Sequence, residues 1–181
     1  MSRMEEPSTS RDGEVEVEPA DARLAGSWDL SYHLPQDKNW TLASYVPIAE
    51  KVATVGELVA LTEALPDHVI KYCMLFMMRT GITPMWEDRL NRTGGCFSYK
   101  VINKTVPEVW RDLMYMIGGN SLMVNPQHMP LVNGITISPK KNFSIIKVWM
   151  CDCSLQDPAC VDVVANLVKN GCIFRKHEPE F

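Results

Sequence analysis

The chain has 181 residues, enough for one domain with a buried core, and its 46% hydrophobic and 22% charged residues are ordinary for a folded globular protein. Its longest apolar runs, such as Met74 to Met78, are too short to span a bilayer, and the start of the chain lacks the basic and apolar pattern of a secretory signal. The net charge of −4 argues against a broad basic surface, so a nucleic-acid ligand would need a small specific pocket.

Residues 1–23 form an acidic N-terminal tail that we expect to be disordered. They hold seven acidic residues against three basic ones, and they have few large apolar side chains to offset the entropy of ordering. Subtracting them from the totals of 22 acids and 18 bases leaves 15 of each for residues 24–181, the predicted domain. The domain is therefore close to neutral, which leaves room for a local basic site.

In the first part of the domain, the sequence predicts strands on either side of one helix. Trp28 to Leu34 is predicted as a strand, and residues 40–48 as a loop leading into a second strand. Thr54 can cap a helix that ends before Pro66, and the glutamate three residues after Thr54 completes a capping box. The apolar run from Tyr72 to Met78 is the next strand.

In the second part of the domain, the sequence predicts two more helices and three more strands. Cys96 to Ile102 alternates as a half-buried strand does, and Pro107 to Ile117 has the spacing of an amphipathic helix. Residues 131–137 and 144–151 form a predicted hairpin, and Asp157 to Asn170 is the predicted third helix. This order indicates an α+β domain with a mostly antiparallel sheet and its helices on one face.

The most unusual segment is Gly-Ile-Thr-Pro-Met-Trp-Glu-Asp, from Gly81 to Asp88. Its glycine and proline indicate a loop, yet the loop displays Trp86 beside Glu87, and loops of this kind often carry function. The alternative is that Trp86 anchors the core and the acids are simply solvated.

This segment, followed by Asn91 and Gly94-Gly95, resembles the signature of the cap-binding translation initiation factor 4E family. Other matching pieces occur in the expected order: Asn39-Trp40, Thr54-Val55, residues 109–113 with Ile117-Gly118, and residues 146–149. The resemblance covers roughly residues 27–172 and is nearest to short, divergent members from kinetoplastid protozoa, whose caps carry extra methylations. It implies a strongly curved sheet with three helices on the convex face and the cap site on the concave face.

The resemblance implies that the chain binds the 7-methylguanosine cap of mRNA in translation initiation, without catalysis and without a cofactor. Trp40 and Trp86 would stack on the two faces of the methylated base, because an indole is the best side-chain partner for a delocalised cation. Glu87 would accept hydrogen bonds from the N1–H and N2–H edge of guanine. Trp28 is the rival to Trp40, although it matches a core tryptophan of the family.

Lys140 and Lys141 lie in the turn of the predicted hairpin, where the resemblance implies that basic residues hold the cap phosphates. The alternatives are a merely solvated turn, or help from Arg89, Arg92 or Lys147. The chain departs from the family pattern here, because Cys96 and Ile145 stand where basic residues are common.

The resemblance also implies a partner on the helical face, either a 4G-type scaffold factor or a 4E-binding repressor. The candidate contacts are Val55, Val59, Trp110, Arg111 and Tyr115. Val59 stands where the family has a tryptophan, which favours an alternative function as a cap-binding translational repressor that does not recruit the scaffold. The competing explanation is that Val55 and Val59 pack in the core.

A rival hypothesis is a metal site near the C-terminal end, where potential ligands are close in sequence: Cys151, Cys153, Cys160, Cys172 and His177. Their spacing is not that of a zinc motif, so we expect no metal. Without a secretory signal, the six cysteines are expected to be reduced, in a cytoplasmic protein. Few residues follow Gly171, so the family's later strands and the loop that contacts the ribose or second nucleotide are expected to be missing.

Overall fold

The computed structural model describes residues 19–162 and 164–179. These residues form one sheet of seven antiparallel strands with helices packed against it. In chain order these are β1 (Arg23–His33), β2 (Val46–Thr54), β3 (Met74–Arg79), β4 (Gly95–Ile102), β5 (Val132–Pro139), β6 (Phe143–Met150) and β7 (Ile173–Lys176). Their spatial order is β2-β1-β3-β5-β6-β4-β7. The predicted α+β class, with a curved antiparallel sheet, is confirmed.

Three α-helices pack on one face of this sheet in the described residues: α1 (Val55–Ala64), α2 (Asp67–Tyr72) and α3 (Val106–Gly118). The capping box at the start of α1 forms as predicted, because Thr54 accepts from the Glu57 N–H and Glu57 accepts from the Thr54 N–H. At Gly118, a β-carbon would come within 2.2 Å of the Leu58 side chain, so glycine lets α3 lie close to α1. Within the part of the chain described, no helix is long and apolar enough to cross a bilayer.

The predicted third helix, Asp157 to Asn170, is wrong, although residue 163 lies outside the described residues. Only Pro158–Cys160 forms a short 3-10 turn, after which Val161 makes an isolated bridge with Met123. A valine-rich segment gains little from the helical conformation, because β-branched side chains lose rotamer freedom there. The helical spacing of its apolar residues was therefore misleading, and α2 is the third helix instead.

The predicted boundary of the disordered tail is also corrected. Pro19–Asp21 form a 3-10 turn beside α1, and the Ala22 carbonyl accepts a hydrogen bond from the Val55 N–H at 2.9 Å. Residues 1–18, the rest of the predicted tail, lie outside the described residues.

Alternation along the strands gives the sheet two different faces. The helical face, which packs against α1 to α3, carries residues such as Leu75 and Met77 of β3, which belong to the main core. The open face carries the second cluster, formed by Phe76, Met78, Ile82, Cys96 and Trp149. The open face thus has its own apolar floor, which needs a cover other than the helices.

Candidate functional site

A cavity of about 480 Å³ lies on the open face of the sheet. Its floor includes Phe76 of β3, Thr136 of β5 and Trp149 of β6. Phe76 is the register partner of Thr136, and the Trp149 indole N–H donates to Thr136 Oγ1 at 3.0 Å. Two loops, one after β1 and one after β3, form the rim, and the volume suits a small planar ligand.

Trp40, in the loop between β1 and β2, lines this cavity and is 46% exposed. Its indole stacks on the His33 imidazole with ring centroids 4.1 Å apart and planes 1° from parallel. His33 is itself buried, and its Nε2 lies 2.8 Å from the Asn39 carbonyl oxygen. The stack restrains the indole while part of its surface remains available to a ligand.

Trp86, in the loop between β3 and β4, lines the same cavity and is 36% exposed. Asp88 closes the loop by accepting hydrogen bonds from the Thr83 N–H and hydroxyl and from the Leu90 N–H. Burial acts to raise the pKa of Asp88, but these hydrogen bonds outweigh it and lower the pKa. Asp88 is therefore a structural acid of the loop rather than a ligand-facing one.

Asn91 holds the loop from beneath, in a buried position. Its side-chain amide donates to the carbonyl oxygens of Thr83 at 2.8 Å and Met85 at 2.9 Å. Asn133 of β5 in turn donates to Asn91 Oδ1 at 2.9 Å. The loop that carries Trp86 is thus fixed to the sheet by a chain of amides.

His177, just after β7, supports Trp86 from another direction. Its ring lies 5.6 Å from that of Trp86, with planes 15° apart, and 4.8 Å from that of Trp149. Its Nδ1 lies 2.7 Å from the Asn91 carbonyl oxygen, and its backbone N–H donates to Gly94. Burial lowers the pKa of His177, and the Lys147 charge acts in the same direction. The sequence suggested this residue only as a rejected metal ligand.

Two carboxylates and one ammonium group line the cavity: Glu87, Glu178 and Lys147. Burial raises the pKa of Tyr45, which also lines the cavity, and the negative charge of Glu87 raises it further. The Lys147 Nζ lies 5.8 Å from the centroid of the Trp86 ring. The balance of charge is negative, which suits a cationic ligand.

Comparison with known protein families identifies the family of this chain. The sequence model of the family described as eukaryotic initiation factor 4E matches residues 23–171. The chain belongs to the eukaryotic initiation factor 4E family.

Individual members of the 4E family are similar to this chain over part of their length. The eukaryotic translation initiation factor 4E homolog of Acanthamoeba polyphaga mimivirus is 39% identical over 62 residues, which make up 34% of this chain and 23% of the viral protein. The chain thus spans about a quarter of that relative's length.

Solved structures of 4E proteins share the fold. Ascaris suum eIF4E-3 with m7G cap has a TM-score of 0.63 at 20% identity, over 77% of this chain and 78% of the nematode chain. C. elegans eIF4E-3 with the 4E-binding protein Mextli has a TM-score of 0.64 at 19% identity, over 74% and 77%.

Several of the predicted cap contacts of this 4E chain meet in one cavity, and others do not. Trp40, Trp86 and Glu87 line it together. The rival Trp28 is only 2% exposed and belongs to the main core, so it is not a stacking residue. The structure does not bring Lys140 or Lys141 to the cavity lining, nor Arg89 or Arg92, whereas Lys147 does line it.

The predicted partner surface of this 4E chain needs one correction. Val55 and Val59 of α1 are 36% and 42% exposed, so they are not core residues. Trp110 of α3 is 0% exposed, and it cannot contact a partner because it fills the space between α3 and the sheet.

Arg111 and Tyr115 are surface residues of α3 that also tie the helices together. Arg111 donates to the Leu65 carbonyl oxygen and to Asp67, both at or after the end of α1. The Tyr115 hydroxyl donates to Glu63, and this hydrogen bond is the main reason that the pKa of Tyr115 is raised. A partner would meet these side chains already paired.

In residues 19–162 and 164–179, no three side chains of Cys, His, Asp or Glu gather as metal ligands. The five residues of the rival metal hypothesis therefore form no site in this region. Cys153 instead contacts the Thr93 and Gly94 carbonyl oxygens, and His177 packs against Trp149 behind the cavity lining.

Most of the residues that sequence reasoning missed lie on the open face. Phe76 and Trp149 point to this face by simple alternation, so strand periodicity carried a signal for them. No local pattern marked His33, His177 or Glu178, because their roles depend on contacts between distant parts of the chain.

Proposed function

We propose that this chain binds the 7-methylguanosine cap of mRNA, with the base held between Trp40 and Trp86. The observation that carries the proposal is that two separate loops bring these exposed indoles and Glu87 to a single cavity. The similar Ascaris suum eIF4E-3 has been solved with m7G cap, which supports the same ligand class here.

The chemistry of the cavity suits this ligand. A 7-methylated guanine is a cation, and indole faces attract a delocalised cation by about 0.5–2 kcal/mol each. Stacking alone does not tell one base from another, so discrimination falls to Glu87, which can accept from both N1–H and N2–H of guanine. Adenine offers no such pair of donors and would leave the carboxylate without its partner.

The proposed role is that of a binding adaptor in translation initiation rather than an enzyme. Stacking and edge recognition require no bond to be made or broken, and they need no cofactor. An mRNA cap ligand also places the proposed action in the cytoplasm, where mRNA is translated.

The proposed partner is a 4G-type scaffold factor or a 4E-binding repressor on the helical face. Val55 and Val59 supply exposed apolar surface on α1, which suits an amphipathic partner helix. C. elegans eIF4E-3, a similar protein, has been solved with the 4E-binding protein Mextli. That complex supports a 4E-binding protein as the partner proposed here.

The proposal is tested by retention on a 7-methylguanosine-triphosphate resin. We expect Trp86→Ala to lose about ten- to a hundredfold in affinity, because one stacked base contributes about 1–3 kcal/mol. Glu87→Gln should lose about tenfold or more, because it removes a charge-assisted pair. Glu50→Gln, an exposed change in β2, is the matched control and should bind normally. Normal retention of the Trp86 and Glu87 variants, with their fold intact by circular dichroism, would overturn the site assignment.

A further inference from the structure

The open face of the sheet continues beyond the stacking cavity along β6. Because side chains alternate along a strand, the open-face residues of β6 are Phe143, Ile145, Lys147 and Trp149. Trp149 lies in the floor of the stacking cavity, and Ile145 lines a second cavity of about 700 Å³ that shares Trp86 and Lys147 with the first. A strand rises about 3.3 Å per residue, so Phe143 lies roughly 20 Å from Trp149. The open face thus leads from the proposed base site to the beginning of β6.

Phe143 forms a small patch with two side chains of β4. Ile102 is its register partner, and Lys100 lies on the same face of β4, two residues before Ile102. The Lys100 Nζ lies 4.4 Å from the centroid of the Phe143 ring. Ile102 is 60% exposed and Phe143 is partly exposed, whereas Val101, on the helical face, is buried. We call Lys100, Ile102 and Phe143 the strand-end patch.

Hydrogen bonds hold the strand-end patch in place next to the β5–β6 turn. The Lys140 N–H donates to the Phe143 carbonyl oxygen at 2.8 Å and closes the turn. The Asn103 side-chain amide donates to the Lys141 carbonyl oxygen at 3.3 Å, which joins the end of β4 to the same turn. A ring that is already held in place loses little freedom when a ligand stacks on it.

The chemistry of the strand-end patch suits a nucleotide. Proteins bind single-stranded nucleic acid with exposed aromatic rings beside cations, because every base has a face that can stack and every nucleotide carries a phosphate. The open-face positions of β4 and β6 hold two lysines, Lys100 and Lys147, and no carboxylate. No salt bridge in the part of the chain that the structure describes includes Lys100. The patch therefore matches a ligand that has both a flat ring and a negative charge.

We propose that the strand-end patch binds one of the first nucleotides after the cap in mRNA, with its base stacked on Phe143 and its phosphate near Lys100. The inference rests on the proposed function, because the stacking cavity fixes where the RNA chain begins. The patch lies on the same face as that cavity, and α1 to α3 pack on the opposite face. An RNA chain that leaves the cavity along β6 would therefore reach the patch without crossing a helix.

The test compares two ligands by titration of the full chain. One is 7-methylguanosine triphosphate, and the other is the capped RNA m7GpppApA, which carries two further nucleotides. Phe143→Leu removes the aromatic ring and keeps an apolar side chain. It should weaken binding of the capped RNA about tenfold, as expected for the loss of one stacked base, and leave binding of the mononucleotide within about twofold. Lys100→Met removes the charge, keeps an apolar stem and should weaken binding of the capped RNA about threefold.

Two control variants separate stacking from a general effect on the protein. Phe143→Tyr keeps an aromatic ring and should bind both ligands as the wild type does. Lys71→Met removes a lysine of α2, on the helical face, and should also leave both affinities unchanged.

The two ligands also separate this inference from the proposed function. If Phe143→Leu is folded by circular dichroism and binds the capped RNA as the wild type does, the inference is overturned while the base site stands. An equal loss for both ligands would likewise overturn it, because the ring would then act on the stacking cavity. A wild-type chain that binds neither ligand would overturn the proposed function and this inference with it.

Discussion

Imidazole rings support both of the exposed tryptophans in the site. His33 lies in parallel contact with Trp40, and His177 lies beside Trp86 while hydrogen-bonded to the loop that carries it. A side chain that is already restrained loses less entropy when a ligand binds. Both histidines therefore act as positioning residues in the proposed site, since neither lines the cavity.

The lowered pKa of His177 predicts a pH-dependent stability. Burial favours the neutral ring of His177 in the folded protein. The unfolded chain therefore binds a proton at this residue more readily than the folded protein does once the pH falls below 6.5, the ordinary pKa of histidine. The free energy of unfolding contributed by this residue is thus fully present above that pH and is lost as the pH falls. We expect His177→Phe to flatten the dependence between about pH 7 and pH 5, measured by urea unfolding.

The matched control for this experiment is His68→Gln, which changes an exposed histidine of α2. It should keep the wild-type slope of unfolding free energy against pH. A His177→Phe protein with the same slope as the wild type would contradict the role of the buried ring.

At the scale of elements, α1 presents a small apolar surface to solvent as well as the residues that it packs against the core. Leu58 and Thr62 are buried, while Val55 and Val59 are exposed on the same helix. The helix lies on the helical face and the stacking cavity lies on the open face, so the two sites have no residues in common. Partner binding and cap binding should therefore be separable by mutation.

We expect the double variant Val55→Asp with Val59→Asp to lose capture by a 4G-type scaffold fragment, or by a 4E-binding repressor peptide, by about tenfold or more, because it places charge in an apolar contact. Its affinity for 7-methylguanosine triphosphate should not change. Val124→Asp, a change at another exposed valine, is the control. Unchanged capture by both partners would remove α1 from the partner surface.

The elements that could be predicted from sequence are those with strong local signals. The capping box at Thr54 and Glu57 predicted the start of α1, and alternation predicted β4. Two segments on either side of a lysine-containing turn predicted the β5–β6 hairpin within a few residues. The segment after Asp157 failed because its apolar spacing fits a helix while its valines and its bridge to Met123 favour extended structure. β7 was also not predicted, since a four-residue strand is defined by its pairing with β4 rather than by its own sequence.

At the scale of the whole molecule, some residues of the site could be predicted from local sequence, and others depend on strand pairing. Trp40, Trp86 and Glu87 follow from a local motif and a family resemblance, and the structure brings them to one cavity. His177 comes to support Trp86 only because β7 joins the edge of the sheet next to β4. That pairing joins segments about 80 residues apart, and no short window of sequence contains it.

The whole account depends on the fit between a cationic base and two indoles with a nearby carboxylate. It is tested most directly by titrating the full wild-type chain with 7-methylguanosine triphosphate and with unmethylated guanosine triphosphate, following tryptophan fluorescence. The account predicts strong quenching and a preference of at least about tenfold for the methylated nucleotide, because only that base carries the cation. Equal affinity for the two nucleotides, or an unchanged fluorescence spectrum at saturating methylated nucleotide, would contradict it.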